Sequence, residues 1–364
     1  MVDNGTLTYY TKKKLNHVVD HATKFFKMEN FQIEKNKYWL RDLKNKKFKY
    51  INYISIYEFR NKTKISISFS YSRYKHNDNY ILVKSDKEVK EIHLSVAQLF
   101  EVMTGEPVRL FDIELTSIDI CNQIETNFDD KYQTIDLLNR VLNKERTTLY
   151  FHTNSDNRKI IQGFSIFEEG RGKKEQKTYF KIYNKFKERL ETGKEITGRT
   201  QAVRAELTLR QAQLKKMGID SIKAVNKKSL DIIIKKKLGA KIIKDLETVI
   251  KSDIKKLVEI VNDRPFNRQD FLKYEYLIFD IEFLKYIFSE EISRMTGRTG
   301  RYHKKLVIEQ LEELEKKGEI KKKYSGNIKD LEKILDKLFK VKAKITATAK
   351  GIDIKWLDLQ ENKK

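Results

Sequence analysis

The chain has 364 residues, enough for about two or three domains, and its 76 Lys plus Arg outweigh 52 Asp plus Glu to give a formal charge of +24. The excess runs along the whole length and suits a polyanionic partner, because each phosphate neutralised by Lys or Arg releases a counterion. The absence of a long apolar run and of a signal-peptide pattern argues against a membrane, and a lone cysteine, Cys121, excludes a disulfide framework or a thiolate zinc site and fits a reducing cytoplasm.

Helical spacing of Leu15, Val18, Val19, Ala22, Phe25 and Phe26 predicts a helix over 11–27. Strands are expected at Tyr50–Phe59 and Lys64–Tyr71, with shorter ones at Tyr80–Val83 and Val89–Leu94. Ser95–Thr104 reads as a helix closed by Gly105. Leu110–Cys121 is a long strand, Gln133–Leu142 a helix, and Thr147–Thr153 and Gly163–Glu168 are strands. Lys177–Glu188 runs from strand to helix, and Ala202–Arg210 is a further strand. Strands and single helices mix without regular βαβ alternation, so residues 1–220 are expected to form an α+β domain with a mainly antiparallel sheet. From Ile219 the pattern turns helical, and 221–364 is expected to be a mainly helical DNA-binding region. Within it, 278–356 fits either a winged helix or an ordinary helical hairpin followed by late strands.

Three strands carry polar residues that chemistry could use. Tyr179, Lys181 and Tyr183 alternate with Phe180 and Ile182, so the apolar pair can face a core while the others meet a ligand. A tyrosine among Lys181, Lys185 and Lys187 suits attack on a phosphodiester, since cations favour the phenolate. The same pattern also fits an amphipathic edge strand whose tyrosines simply pack. Asp119 lies between Ile118 and Ile120, and Glu206 lies in Val203–Leu209. If these strands share a sheet, two carboxylates and a tyrosine converge, and oxygen ligands suit Mg²⁺ or Mn²⁺. His152 could add a nitrogen ligand, whereas His17 and His21, one helical turn apart, read as structural.

The order Ser117-Ile-Asp119, then Thr178–Lys185, then Val203–Leu209, then Leu214-Lys-Lys-Met-Gly218 resembles the gene II/X replication initiators of filamentous phages and related plasmid rolling-circle initiators. The resemblance covers about Ile113 to Gly218, with looser echoes at Glu91–Ser95 and Arg301–Leu306. It implies a Rep-nuclease-like fold and a site-specific nickase that starts rolling-circle replication through a 5′-phosphotyrosine link. By position, Tyr183 would be the nucleophile, Lys185 its neighbouring lysine, and Asp119 and Glu206 the metal-side carboxylates. Arg204 would be a phosphate contact. Tyr179 would be either a second nucleophile or a stacking platform for an unpaired base. Two departures stand out: Ser117 occupies a position where the family has Arg, and the histidine-hydrophobic-histidine metal motif of classical initiators is absent. Expected partners are origin DNA, duplex and single-stranded, and a host helicase in the bacterial cytoplasm. Lys181, Arg298 and Arg301 are further candidate DNA contacts. The competing class is a non-enzymatic winged-helix regulator that only binds DNA.

Overall fold

The computed structural model describes residues 1–27, 32–34, 37–41, 48, 50–126, 132–142, 147–153, 159–168, 177–191, 193, 200–263, 305–306, 309, 312–313, 316, 325–348 and 351–357. Its first elements are β1 (Val2–Thr11), α1 (Leu15–Phe26), β2 (Gln32–Glu34), β3 (Lys37–Arg41), β4 (Ile51–Phe59), β5 (Lys62–Ser70), α2 (Tyr71–His76), α3 (Asp86–Thr104) and β6 (Glu114–Glu125). Then come α4 (Tyr132–Leu142), β7 (Thr147–Thr153), β8 (Lys159–Glu168), β9 (Lys177–Asn184), α5 (Lys185–Glu191), β10 (Ala202–Arg210) and α6 (Gln211–Lys216). The chain closes with α7 (Lys227–Ile234), α8 (Ala240–Asp263), α9 (Ser325–Phe339), β11 (Ala343–Thr348) and β12 (Gly351–Trp356).

Strand order is β2-β3-β4-β5-β1-β6-β10-β9-β8-β7, and β11 and β12 form a separate hairpin. The pairs from β2 through to β6, and the pair β7 with β8, are antiparallel. This is a mixed α and β protein with a large antiparallel sheet. Packing divides the chain into two units, each discontinuous in sequence. Unit 1 comprises Met1–Gln123, Phe167–Lys181 and Arg204–Ile234; unit 2 comprises Ile124–Ile166, Ile182–Val203 and Lys235–Lys364. Among the described residues no helix is long and apolar enough to cross a membrane.

In unit 1 the hairpin of β4 and β5 turns at Arg60-Asn61, both with positive φ, the two-residue turn whose twist matches paired strands. Leu7, Ile54, Ile56, Ile65, Ile67 and Phe69 are fully buried on one face, and α1 and α3 pack on this part of the fold. Burying each such side chain contributes roughly 1.5–3 kcal/mol. Two sequence expectations fail here. Val89–Leu94 is not a strand but the first half of α3, because Ser85 and Glu88 form a reciprocal capping box that starts the helix early. Tyr80–Val83 is a loop whose Val83 makes one isolated bridge to Val2. The central strand β1 was not foreseen at all.

His93, which this longer α3 turns inward, meets Tyr71 with Oη and Nε2 2.8 Å apart. Gly5 of β1 makes room for that tyrosine, since a Cβ there would stand 2.8 Å from its ring. Both partners are buried, and burial lowers the His93 imidazole from 6.5 to about 4.

In unit 2, Arg140 of α4 pairs with the buried Asp253 of α8, and Lys241 Nζ donates to the Leu142 carbonyl at 2.6 Å. One widened turn, Lys235–Gly239, joins α7 to α8. Helix α9, unforeseen in the sequence, buries Leu331, Ile334, Leu335 and Leu338. Its Glu332 accepts from the Ile345 amide of β11 at 2.7 Å. The expected late strands are present as β11 and β12. Most of the first half of the 278–356 stretch, including all of 278–304, lies outside the described residues.

Gly163 of β8 has φ +155°, and a Cβ there would collide with the Ile182 carbonyl and lie 2.7 Å from the Tyr183 Cα. Only glycine admits that approach. Gly163→Ala should therefore lower stability by about 2 kcal/mol or more in urea unfolding. A second prediction concerns pH. His93 stays neutral in the folded chain while the unfolded chain takes up a proton below 6.5. Its contribution is complete above that pH, falls as pH drops from 6.5 to about 4, and then levels off. Stability lost over that window should be on the order of 3 kcal/mol, and His93→Gln should flatten the slope.

Candidate active site

Strands β6, β10 and β9 are consecutive in the sheet order, so the three strands that carry the candidate residues are neighbours. Ile118, Ile120, Phe180 and Ile182 are buried, as the alternation predicts. Of the polar residues between them, Lys181 keeps a partly exposed side chain, whereas Asp119 is hydrogen-bonded within the protein. Strand β10 lies inside the sheet, and its residues on both faces are buried along most of its length.

Arg204 is the centre of unit 1's charge network. It is 0% exposed, and its guanidinium is engaged on every side. Nε and Nη2 donate to Gln123 Oε1 at 3.0 and 2.7 Å, and Nη2 also donates to the Tyr80 carbonyl at 2.8 Å. Nη1 donates to Asp3 Oδ2 at 3.3 Å and stands 3.8 Å from Glu206 Oε1. A guanidinium keeps its charge at any accessible pH, so this geometry is an internal neutralisation. The sequence expectation of Arg204 as a ligand-facing phosphate contact does not match this placement.

Glu206 is 2% exposed, and its Oε2 pairs closely with Lys181 Nζ. Burial works against the Lys181 ammonium, but Glu206 beside it outweighs that effect and holds its pKa up. The Lys181 side chain is 37% exposed, so the network reaches solvent there. Asp119 accepts from Thr208 Oγ1 at 2.8 Å and from Asn4 Nδ2 at 3.1 Å. Burial raises its carboxyl above the usual range; the Thr208 bond opposes this and the Glu206 charge adds to it.

Asp3, Cys121 and Glu206 present ligand atoms within 4.8 Å of one another. The donor set nevertheless does not fit a divalent ion. Arg204 already supplies positive charge to Asp3 and Glu206, and Lys181 holds the other Glu206 oxygen. Burial pushes the Cys121 thiol well up, with Glu206 and Asp3 adding to it, so a thiolate ligand is disfavoured. Asp119 has both carboxylate oxygens hydrogen-bonded within the protein. The Asp119 and Glu206 pair expected to hold Mg²⁺ or Mn²⁺ is thus spent on internal partners.

Unit 2 holds the tyrosine. Tyr183 is 9% exposed, and Lys185 Nζ stands 5.7 Å from its ring centroid. Lys185 is 1% exposed and pairs with Glu188 at 2.8 Å. Asn184 Oδ1 accepts from the amides of Phe186 and Lys187 at 3.1 and 3.2 Å, an N-cap that ends β9 and starts α5. Tyr179 lies on β9 and His152 on β7 opposite Ile160. The side chains of both lie outside the described residues, as do Arg298 and Arg301 entirely.

Asp3, Asn4, Tyr80, Gln123 and Thr208 escaped the sequence reading. Thr208 shares the β10 alternation with Arg204 and Glu206, and that signal was legible. No protein-family model matches this chain, and no curated protein matches it in sequence.

Arg204→Met should cost about 3–5 kcal/mol in urea unfolding, because it removes the guanidinium that buried Asp3 and Glu206 face. Adding Asp3→Asn should recover part of that loss. Millimolar Mn²⁺ should leave the melting temperature unchanged; a rise of several degrees would show that an ion does displace these pairs.

Proposed function

We propose that the chain is a DNA nicking and joining protein of the rolling-circle initiator type, with Tyr183 as nucleophile. One observation carries the reading: within unit 2 the Lys185 ammonium stands 5.7 Å from the Tyr183 ring centroid, so the tyrosine and lysine of the resemblance lie together. The net charge of +24 supports it. In the proposed step the Tyr183 phenol loses its proton and its oxygen attacks the phosphorus of a backbone ester. The bond from phosphorus to the 3′ oxygen breaks, that oxygen takes up a proton, and the 5′ phosphate remains esterified to the tyrosine. Reversal rejoins the strand without a nucleotide cofactor, since the ester bond is exchanged and not hydrolysed. No step is drawn through a metal, because the residues assigned to hold one are already paired.

A second reading is favoured by the burial of Arg204, Glu206 and Lys185. In it these groups are purely structural, and the protein binds DNA without cutting it. The C-terminal part, as a winged helix or otherwise, would then carry duplex recognition in both readings.

The two are separated by incubating the full chain with circular single-stranded DNA, with and without Mn²⁺, and resolving the products on a denaturing gel. A covalent adduct whose attached peptide contains Tyr183 is the expected result. Tyr183→Phe should give no adduct while keeping DNA affinity within about twofold. An undiminished adduct in that variant would remove Tyr183 from the chemistry, and no adduct under any condition would leave the binding-only reading.

A further inference from the structure

Unit 1 carries a second cationic surface, on strands that the resemblance does not touch. Pairing fixes which side chains share its face. Tyr10 of β1 stands opposite Lys64 of β5, and Lys64 stands opposite Tyr57 of β4. Phe59, two residues beyond Tyr57, stands opposite Lys62. Alternate residues of a strand project to the same side, so Tyr10, Tyr57, Phe59, Lys62 and Lys64 lie on one face. The other face is the buried one that carries Leu7, Ile56, Ile65 and Ile67.

Rings and cations interleave here instead of separating. Lys64 Nζ is 5.4 Å from the Tyr57 ring centroid and 5.6 Å from those of Tyr10 and Phe59. Lys37 Nζ lies 4.5 Å over the far side of the cluster, above Tyr57, and Arg60 Cζ is 5.2 Å from Phe59. The row continues on β3, where Arg41 stands 4.8 Å from the Trp39 ring. Burial alone would lower the Lys64 ammonium; hydrogen bonds and charge from the Tyr57 and Tyr10 phenols outweigh that and hold it raised. Among the described residues, Lys37, Arg60, Lys62 and Lys64 make no ion pair with a carboxylate, whereas Arg41 is paired with Glu34.

A solvated lysine face needs no aromatic rings, and a protein core would not leave Phe59 40% exposed between cations. The combination matches what an unpaired strand requires: flat apolar faces for bases and fixed positive charge for phosphates. Duplex DNA hides its base faces in its own stack, so rings on a sheet surface have nothing to gain from it. We propose that this face binds single-stranded DNA, with bases stacked on Tyr10, Tyr57 and Phe59 and phosphates held by Lys37, Lys62 and Lys64. The choice of DNA rests on the nicking reading above; the stacking surface itself does not.

The test uses the full chain and a fluorescein-labelled oligothymidylate of about 12 nucleotides, within the site sizes usual for stacking surfaces. Fluorescence anisotropy should show Tyr57→Ala with Phe59→Ala binding at least about tenfold more weakly. Tyr57→Phe should keep wild-type affinity, because the ring remains. Lys64→Gln should flatten the slope of log affinity against log salt by roughly 0.7. A blunt duplex of the same length should bind equally to wild type and to the alanine variant. Unchanged affinity in a well-folded alanine variant would overturn the proposal, and so would an equal loss for the duplex. If the alanine variant melts early, the charge reversal Lys62→Glu decides, since it alters an exposed lysine: undiminished binding there refutes the surface. Tyr183→Phe should bind the oligonucleotide normally, so loss of the adduct and loss of this surface are read separately.

Discussion

A guanidinium that cannot lose its proton sits inside unit 1, and the strands around it are arranged to answer it. Arg204 of β10 takes its partners from β1 (Asp3), from the loop before α3 (Tyr80) and from β6 (Gln123). These residues are 201, 124 and 81 positions away in sequence. The planar fork accepts those partners only in one relative placement, so the ion network specifies register as well as charge balance. Taking such charges out of water is expensive, and well-packed apolar residues of similar volume are often as stable. What the network contributes is therefore specificity of strand arrangement more than net stability. Gly5 follows from the same placement, because β1 must pass close to the Tyr71 ring on its way to Arg204's partner.

That constraint decides what the acidic residues can do. Glu206 faces Lys181 on one oxygen and Arg204 on the other, and Asp119 spends both of its oxygens on Thr208 and Asn4. Carboxylates so occupied are poor ligands for a hard divalent ion, which would have to displace a guanidinium and an ammonium at once. The network does have an outlet. Lys181 is partly exposed while its partner is not, so an anion approaching from solvent meets the ammonium first. A phosphate that drew Lys181 away would leave Glu206 with less positive charge beside it, and hence more basic.

The sequence was most legible where an element has two unlike faces. Strands β4, β5, β7, β8 and β10, helices α1 and α4, and the final hairpin all follow from alternation or helical spacing. Strand β1 did not, because Asp3, Asn4 and Gly5 interrupt any apolar alternation, and each serves a partner distant in sequence. The start of α3 was lost to the β-branched run at Val89 and Ile92, although Ser85 and Glu88 spelled out its cap. Within the site, alternation flagged Asp119, Arg204 and Glu206 as a polar set. It could not tell a ligand-facing row from a buried one, since both produce the same period. The deciding information lay in Asp3, Tyr80 and Gln123, far away in sequence, and no local pattern carries that.

Ionic strength separates the two kinds of charge in this molecule. The Arg204 pairs are shielded from ions by burial, and their strength changes little with salt. Lys37, Lys62 and Lys64 sit at the surface of unit 1, where the proposed phosphate binding would proceed by counterion release and weaken steeply as salt rises. A basic protein that owed its fold to surface charge would loosen under the conditions that release its polyanion. Here the charges that order the strands are internal and paired with one another, whereas Lys37, Lys62 and Lys64 lie outside that network. On the proposed reading, fold and binding would thus respond to salt independently, since the internal pairs hold the strand framework in register whatever the surface lysines meet.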